Sequence, residues 1–172
     1  MAGTLTVQNI EGPSSGANAN TVLIPSGQEL HSAGHVIQVV QGVYTNANST
    51  TSTSLVATSI SATITPKFPT SKILISLAIN GVYHSTETDY AVFHIYKNAS
   101  NHHSVSTNVG QNGETQSQSV AHYYLDSPST TSATTYAVYQ RSGSGGTIGH
   151  NNYGIGGDGS TRSTIILTEI AA

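Results

Sequence analysis

Between Lys72 and Tyr83 the chain alternates with a period of two, placing Ile73, Ile75, Leu77 and Ile79 on one side and Leu74, Ser76, Ala78 and Asn80 on the other. Side chains that repeat every second residue share a face only in an extended strand. No window of a dozen residues carries the i, i+3, i+4, i+7 apolar stripe that a helix would need to dock, so almost no helix is predicted. The same alternation marks strands at Val36–Tyr44, around Ile60, Ala62 and Ile64, at Ala91–Tyr96, Val120–Leu125, Thr134–Gln140 and Ser163–Ile170. Turn-forming clusters separate them, among them Pro66 to Pro69, Asp126-Ser127-Pro128 and the Ser142 to Gly146 stretch. Eight to ten short strands spaced by turns predict an all-β sandwich or jelly roll.

Charge is scarce, 8% of residues against about 25% in an ordinary globular domain. Five Lys and Arg with a net charge of -3 cannot form the basic stripe that displaces counterions from phosphates, which excludes nucleic acid as a partner. No apolar stretch approaches the roughly 18 residues of a membrane helix, and the first residues have neither the cationic start nor the apolar core of a cleaved signal. No membrane partner is expected. With no Cys there is no disulfide frame and no thiolate chemistry. Ser, Thr, Asn and Gly make up 76 of the 172 residues, so hydroxyls must cover the outward faces. Sheet edges then lack the lysines and glutamates that normally discourage edge pairing, and an oligomer or a host assembly is expected to protect them.

Residues 1–34 read as an N-terminal arm and linker, and 35–172 as the β-sandwich domain. Leu5, Val7 and Ile10 can form a short strand, cut off by the polar run from Glu11 to Asn20, and Val22, Leu23 and Ile24 make a second apolar run before Pro25. These six apolar residues are the candidates for attachment to a larger assembly.

The segment Gly154 to Gly159 matches G-x-G-x-x-G, but a strand follows it where a dinucleotide site needs a helix N-terminus, so it reads as a glycine-rich loop. Eight histidines are many for so uncharged a chain. His84, Glu87, Asp89 and Tyr90 cluster in one inter-strand turn, and His102 and His103 are placed in the next loop. These six are read as exposed binding loops, because no metal-ligand spacing or catalytic constellation accompanies them. No catalytic residue, metal or cofactor is assigned, and no enzyme is expected. In the last strand Ile165 and Leu167 face one way and Ile166 the other, with Ile170 closing the run. Apolar residues on both faces mark core or subunit interface.

Three stretches resemble a known family: His35 to Gln41; Leu55 with Ile60 to Pro66 and Ser71 to Ile75; and Tyr124 to Pro128 with Thr131 to Tyr136 and Ser163 to Ala171. Together they are similar to small structural proteins of tailed bacteriophages, of the cyanophage and marine-phage head-decoration or tail-fibre type. That resemblance implies a non-enzymatic, homotrimeric virion component with a compact jelly roll like that of tumour necrosis factor. Its partners would be its own copies and the major capsid protein or another virion protein. It would be made in the bacterial cytoplasm and reside in the virion, as a capsid decoration or cement knob. The alternative is a tail-fibre tip whose Tyr and His loops bind host surface glycan. Thr86 to Gln118 matches no family pattern and is expected to form an exposed tip.

Overall fold

Where apolar residues alternate, the chain extends. A computed structural model describes residues 14–17, 22, 24, 26, 32–86, 88–109, 118–151 and 161–172. The chain divides into two units, Met1–His31 and Ser32–Ala172. Among its described residues the second unit carries ten strands: β1 (Val36–Tyr44), β2 (Asn48–Thr50), β3 (Val56–Ile64), β4 (Lys72–His84), β5 (Ala91–Lys97), β6 (Ser100–Val109), β7 (Gln118–Asp126), β8 (Thr134–Ser142), β9 (Ile148–His150) and β10 (Ser163–Ile170). All pair antiparallel. Among the described residues there is no helix.

One sheet orders its long strands β1-β10-β4-β7, with the short β9 and β2 continuing from the tip of β4, and the other runs β3-β8-β5-β6. Successive strands cross repeatedly between the two sheets, which is the double Greek-key winding of a jelly roll. The alternation read from sequence sets which side chains meet. Ile73, Ile75, Leu77 and Ile79 of β4 and Ile165 and Leu167 of β10 face Ile60 and Ile64 of β3, Phe93 and Ile95 of β5 and Tyr136 and Val138 of β8 in one core. Each such side chain, fully buried, contributes roughly 1.5–3 kcal/mol.

Three local features shape this frame. Gly81 interrupts β4 at φ 61°, where the β4–β7 register slips, and a Cβ there would collide with the Thr161 hydroxyl. The bend lets one strand pair β7 and β10 below it and β9 above it. Glu169, wholly buried in β10, accepts hydrogen bonds from Gln38 Nε2 at 2.6 Å and the Lys67 amide at 2.7 Å, tying the Pro66 to Pro69 turn to β1. Burial works to raise its carboxyl and is outweighed by these donors, so it sits below the usual carboxylate range. The third feature is β6, whose ten residues run beside the seven of β5 with three register slips.

That strand corrects the sequence reading. His102 and His103 lie within β6 and are partly buried, where a loop was expected, and much of the expected tip is regular sheet. Bulges explain the miss: each extra residue breaks the period of two, so no alternation survives to be read. They also supply edge protection, since a bulged, twisted edge strand is a poor template for further pairing.

His150 in β9 is wholly buried, with Nδ1 3.1 Å from Gln140 Oε1 and its ring edge-on to Phe93. Burial pushes its imidazole down to about 4 from the ordinary 6.5. Between those values the unfolded chain binds a proton that the native chain refuses. The stability due to neutral His150 is therefore complete above about pH 6.5 and is lost as the pH falls toward about 4, a loss of about 3 kcal/mol. Denaturant unfolding measured across that interval should show the decline, and the His150→Gln variant should show a flatter one.

Candidate functional site

The first cluster expected to be an exposed binding loop is a buried knot. His84 ends β4 at 3% exposure, its Nδ1 2.7 Å from the Thr86 carbonyl oxygen. Asp89 is fully buried. One carboxylate oxygen accepts from the amides of Tyr90 at 2.8 Å and Ser144 at 2.9 Å, and the other from the Ser142 hydroxyl at 2.6 Å. Burial drives this carboxyl upward, and the Ser142, Ser144 and Tyr90 donors together outweigh it and hold it below the usual range. Tyr90, half-buried, lays its ring over Gly143, where a Cβ would overlap it. Gly146 likewise leaves room for the Asp89 carboxylate. Gly143 and Gly146 are therefore packing requirements of a loop clamp, and Asp89 is its anchor. Glu87 lies outside the described residues.

The second cluster, His102 and His103, points from β6 into the gap between the sheets, against Tyr124 of β7. Of the last strand, Ile165 and Leu167 are core, and Ile166 and Ile170 look outward and are partly exposed.

That outward face is the surface the sequence did not single out. Registers of β1, β10, β4 and β7 align three rows: Val39, Thr168, Leu74, Leu125; Gln41, Ile166, Ser76, Tyr123; and Val43, Thr164, Ala78, Ala121. None of these twelve side chains is charged. Charges stand at the two ends of this face, exposed Arg162 two residues before Thr164 and Lys72 two residues before Leu74, the Lys72 ammonium 2.7 Å from the Ser127 hydroxyl. Val39, Val43, Tyr123 and Leu125 are exposed, Tyr123 to 72%. Four strands by three such rows cover about 400 Å², within the range of the largest patch on a typical folded monomer, which is often functional. Beside the raised Tyr123 lies a shallow hollow of about 150 Å³ lined by Ser76, Leu77, Ala78, Ala121, Tyr123, Thr164 and Ile166. A signal for this face was present: Val36, Val39, Val40 and Val43 put valine at both parities of β1, and Tyr123, Tyr124 and Leu125 do the same in β7.

In the first unit Val22 and Ile24 are exposed. Leu5, Val7, Ile10 and Leu23, and the Gly154 to Gly159 segment, lie outside the described residues. Among the described residues no three His, Asp or Glu side chains are grouped to hold a metal, and no helix is long and apolar enough to cross a membrane.

No family model matches the chain, and no curated protein does, so the phage-family resemblance gains nothing from either comparison. Among solved structures the chain is similar to one from infectious bursal disease virus, Gx strain, at 15% identity and a TM-score of 0.35, over 94% of this chain and 43% of that one. The chain thus spans less than half the length of that protein. At this TM-score the two do not superpose closely, and the jelly-roll assignment rests on the strand order of this chain.

Replacing Asp89 by Ala should leave several donors of the loop clamp unpaired and cost about 1–3 kcal/mol. Chemical unfolding of the variant beside the parent measures this, and an unchanged midpoint would remove Asp89 from the role of anchor.

Proposed function

We propose that the chain is a non-enzymatic virion structural protein of a tailed bacteriophage, a homotrimeric capsid-decoration or cement knob. The outer face of β1, β10, β4 and β7 is buried between copies, with β10 near the axis, and the N-terminal arm attaches the trimer to the major capsid protein or another virion protein. The observation that carries this reading is the uncharged apolar face on an otherwise hydroxyl-covered sandwich. Water hydrates such a face poorly, and a second copy covers it without any charge to neutralise or repel. Tyr123 beside a hollow of small side chains gives each copy both a knob and a place to receive one. The resemblance in sequence wording and the jelly-roll winding, an architecture shared by viral capsid and lectin domains, support the virion setting.

A tail-fibre tip that binds host glycan is the second reading. The buried state of His84 and Asp89 takes away most of the loop surface once assigned to it. What favours it is the stacked pair Tyr96 and Tyr139, with ring centroids 3.7 Å apart and planes 13° apart, beside His94 on the outer side of the four-stranded sheet. Aromatic side chains with polar tips on a rigid sheet suit a sugar ring.

Sedimentation should give a species of three times the 17.8 kDa chain mass. Ile166→Asp places an unpaired carboxylate in the interface and should weaken association about a hundredfold or more while the circular dichroism stays that of the folded sandwich. Ile165→Asp, one residue away in the core, should prevent folding. A stable monomer at micromolar concentration refutes the trimer.

The arm has a separate test. Residues 21–172 alone should unfold at nearly the parent temperature, because the Glu11 to Asn20 run offers no apolar surface to a core. On particles lacking the protein this truncated chain should bind far more weakly than the full chain, since three arms on one trimer act with avidity. Equal binding would move the attachment surface onto the sandwich.

A further inference from the structure

On one side of the sandwich the sheets end in β7 and β6, each without a further partner strand among the described residues. That side is closed by rings. The β5–β6 register skips His102 between the pairs Ile95–His103 and Tyr96–Asn101, and the bulge turns two consecutive histidines toward β7. His103 stacks on Tyr124 with centroids 4.4 Å apart and stands 5.0 Å from the ring of His122. His102 meets Tyr124 edge-on at 5.4 Å. The Nε2 atoms of His102 and His122 are buried without a hydrogen bond, that of His102 lying 3.3 Å from Asp126 Oδ1.

The other titratable groups facing this cluster are Tyr124 and Asp126 of β7, Lys97 of β5 and Tyr136 of β8. Asp126 already accepts from the Tyr136 hydroxyl at 2.6 Å and pairs with the Lys97 ammonium at 3.0 Å. Across β7, the residue paired with His122 is Leu77 of β4, which offers no charge. Among the described residues the only carboxylate near the rings is thus engaged, and it lies on the His102 side.

We propose that His103 and His122 form a proton-operated latch on the β6–β7 side of the sandwich. Neutral, the two rings pack with Tyr124 and close the gap. A first proton is tolerated, because an imidazolium over a tyrosine face is attracted by it. A second puts like charges ring to ring with no free anion among the described residues to offset them, and β6 separates from β7. Protonation of His102 acts in the opposite sense, since it gains Asp126, so the opening step belongs to the His103–His122 pair. Burial, and then the neighbouring His103, hold the His122 imidazole below the ordinary histidine range. The stability of the closed edge is accordingly complete above about pH 6.5 and is lost as the pH falls. Opening bares the unpaired backbone groups of the β7 edge, which is the chemistry that accepts an added strand from another chain. This inference is independent of the proposed virion role.

Amide hydrogen exchange of the full chain at about pH 7.5 and about pH 5, corrected for intrinsic rates, tests it. Protection in β6 and β7 should fall about tenfold or more relative to β4 and β10. No change, or an equal fall in every strand, overturns the proposal. In the His103→Gln/His122→Gln double variant the protection of β6 and β7 relative to β4 and β10 should be the same at both pH values, the loss due to His150 being common to all strands. If it does not fold, His103→Phe keeps the stack on Tyr124 without the charge and should behave the same way, and a selective loss in β6 and β7 retained in either folded variant overturns the latch. Titration of the imidazole resonances in the parent chain should show His103 and His122 coupled in two steps. Independent single curves would contradict it.

Discussion

The central strands of one sheet, β4 and β10, present apolar side chains on both faces, and everything else in this protein follows from where those faces go. The inner face is answered by the opposite sheet, which contributes Ile60, Phe93, Ile95 and Val138 to a single core. The outer face, with Ile166, Leu74, Tyr123 and Leu125 in register, is answered by nothing among the described residues of this domain. A domain of so little charge has few long ionic side chains to fold over such a surface, and Lys72 and Arg162 stand only at its ends. Self-association is the remedy proposed above, and under that proposal the assembly and the fold are one problem.

Scarce charge also changes what the few carboxylates do. Asp89, Asp126 and Glu169 are all buried, and each gathers several donors from a different part of the chain. Each sits below the usual carboxylate range for that reason. They serve as fastenings for turns that contain mostly Gly, Ser and Pro and would otherwise have little to hold them. The histidines divide in a similar way: His150 is locked neutral in the core, whereas His103 and His122 sit where the sandwich can open.

The period of two made most of the fold legible. β1 and β10 match the strands read from sequence end to end, and β4, β5, β7 and β8 differ by one or two residues at their ends. Short β2 and β9 escaped because three residues carry no period, and β6 because its bulges erase one. The site was less legible. His84 and Asp89 occur among turn residues, and composition cannot distinguish a solvated carboxylate from one that collects hydroxyls and amides from a loop more than fifty residues away. Nor does a single strand reveal that its outward residues continue across three neighbours. The patch exists only in the register, which brings Val39, Thr168, Leu74 and Leu125 into one row.

Hydroxyl-radical footprinting of the side chains, at high concentration and after dilution, addresses the proposed burial of the outer face most directly. In the isolated chain Tyr123 is 72% exposed, so it reports on any partner that covers it, with Tyr96 on the opposite sheet as the reference. Strong protection of Tyr123 and Leu125 at high concentration, lost on dilution while Tyr96 is unchanged, is the expected result. Tyr123 equally reactive at every concentration, in a sample that sedimentation shows to be assembled, would place the subunit contact elsewhere and contradict the account.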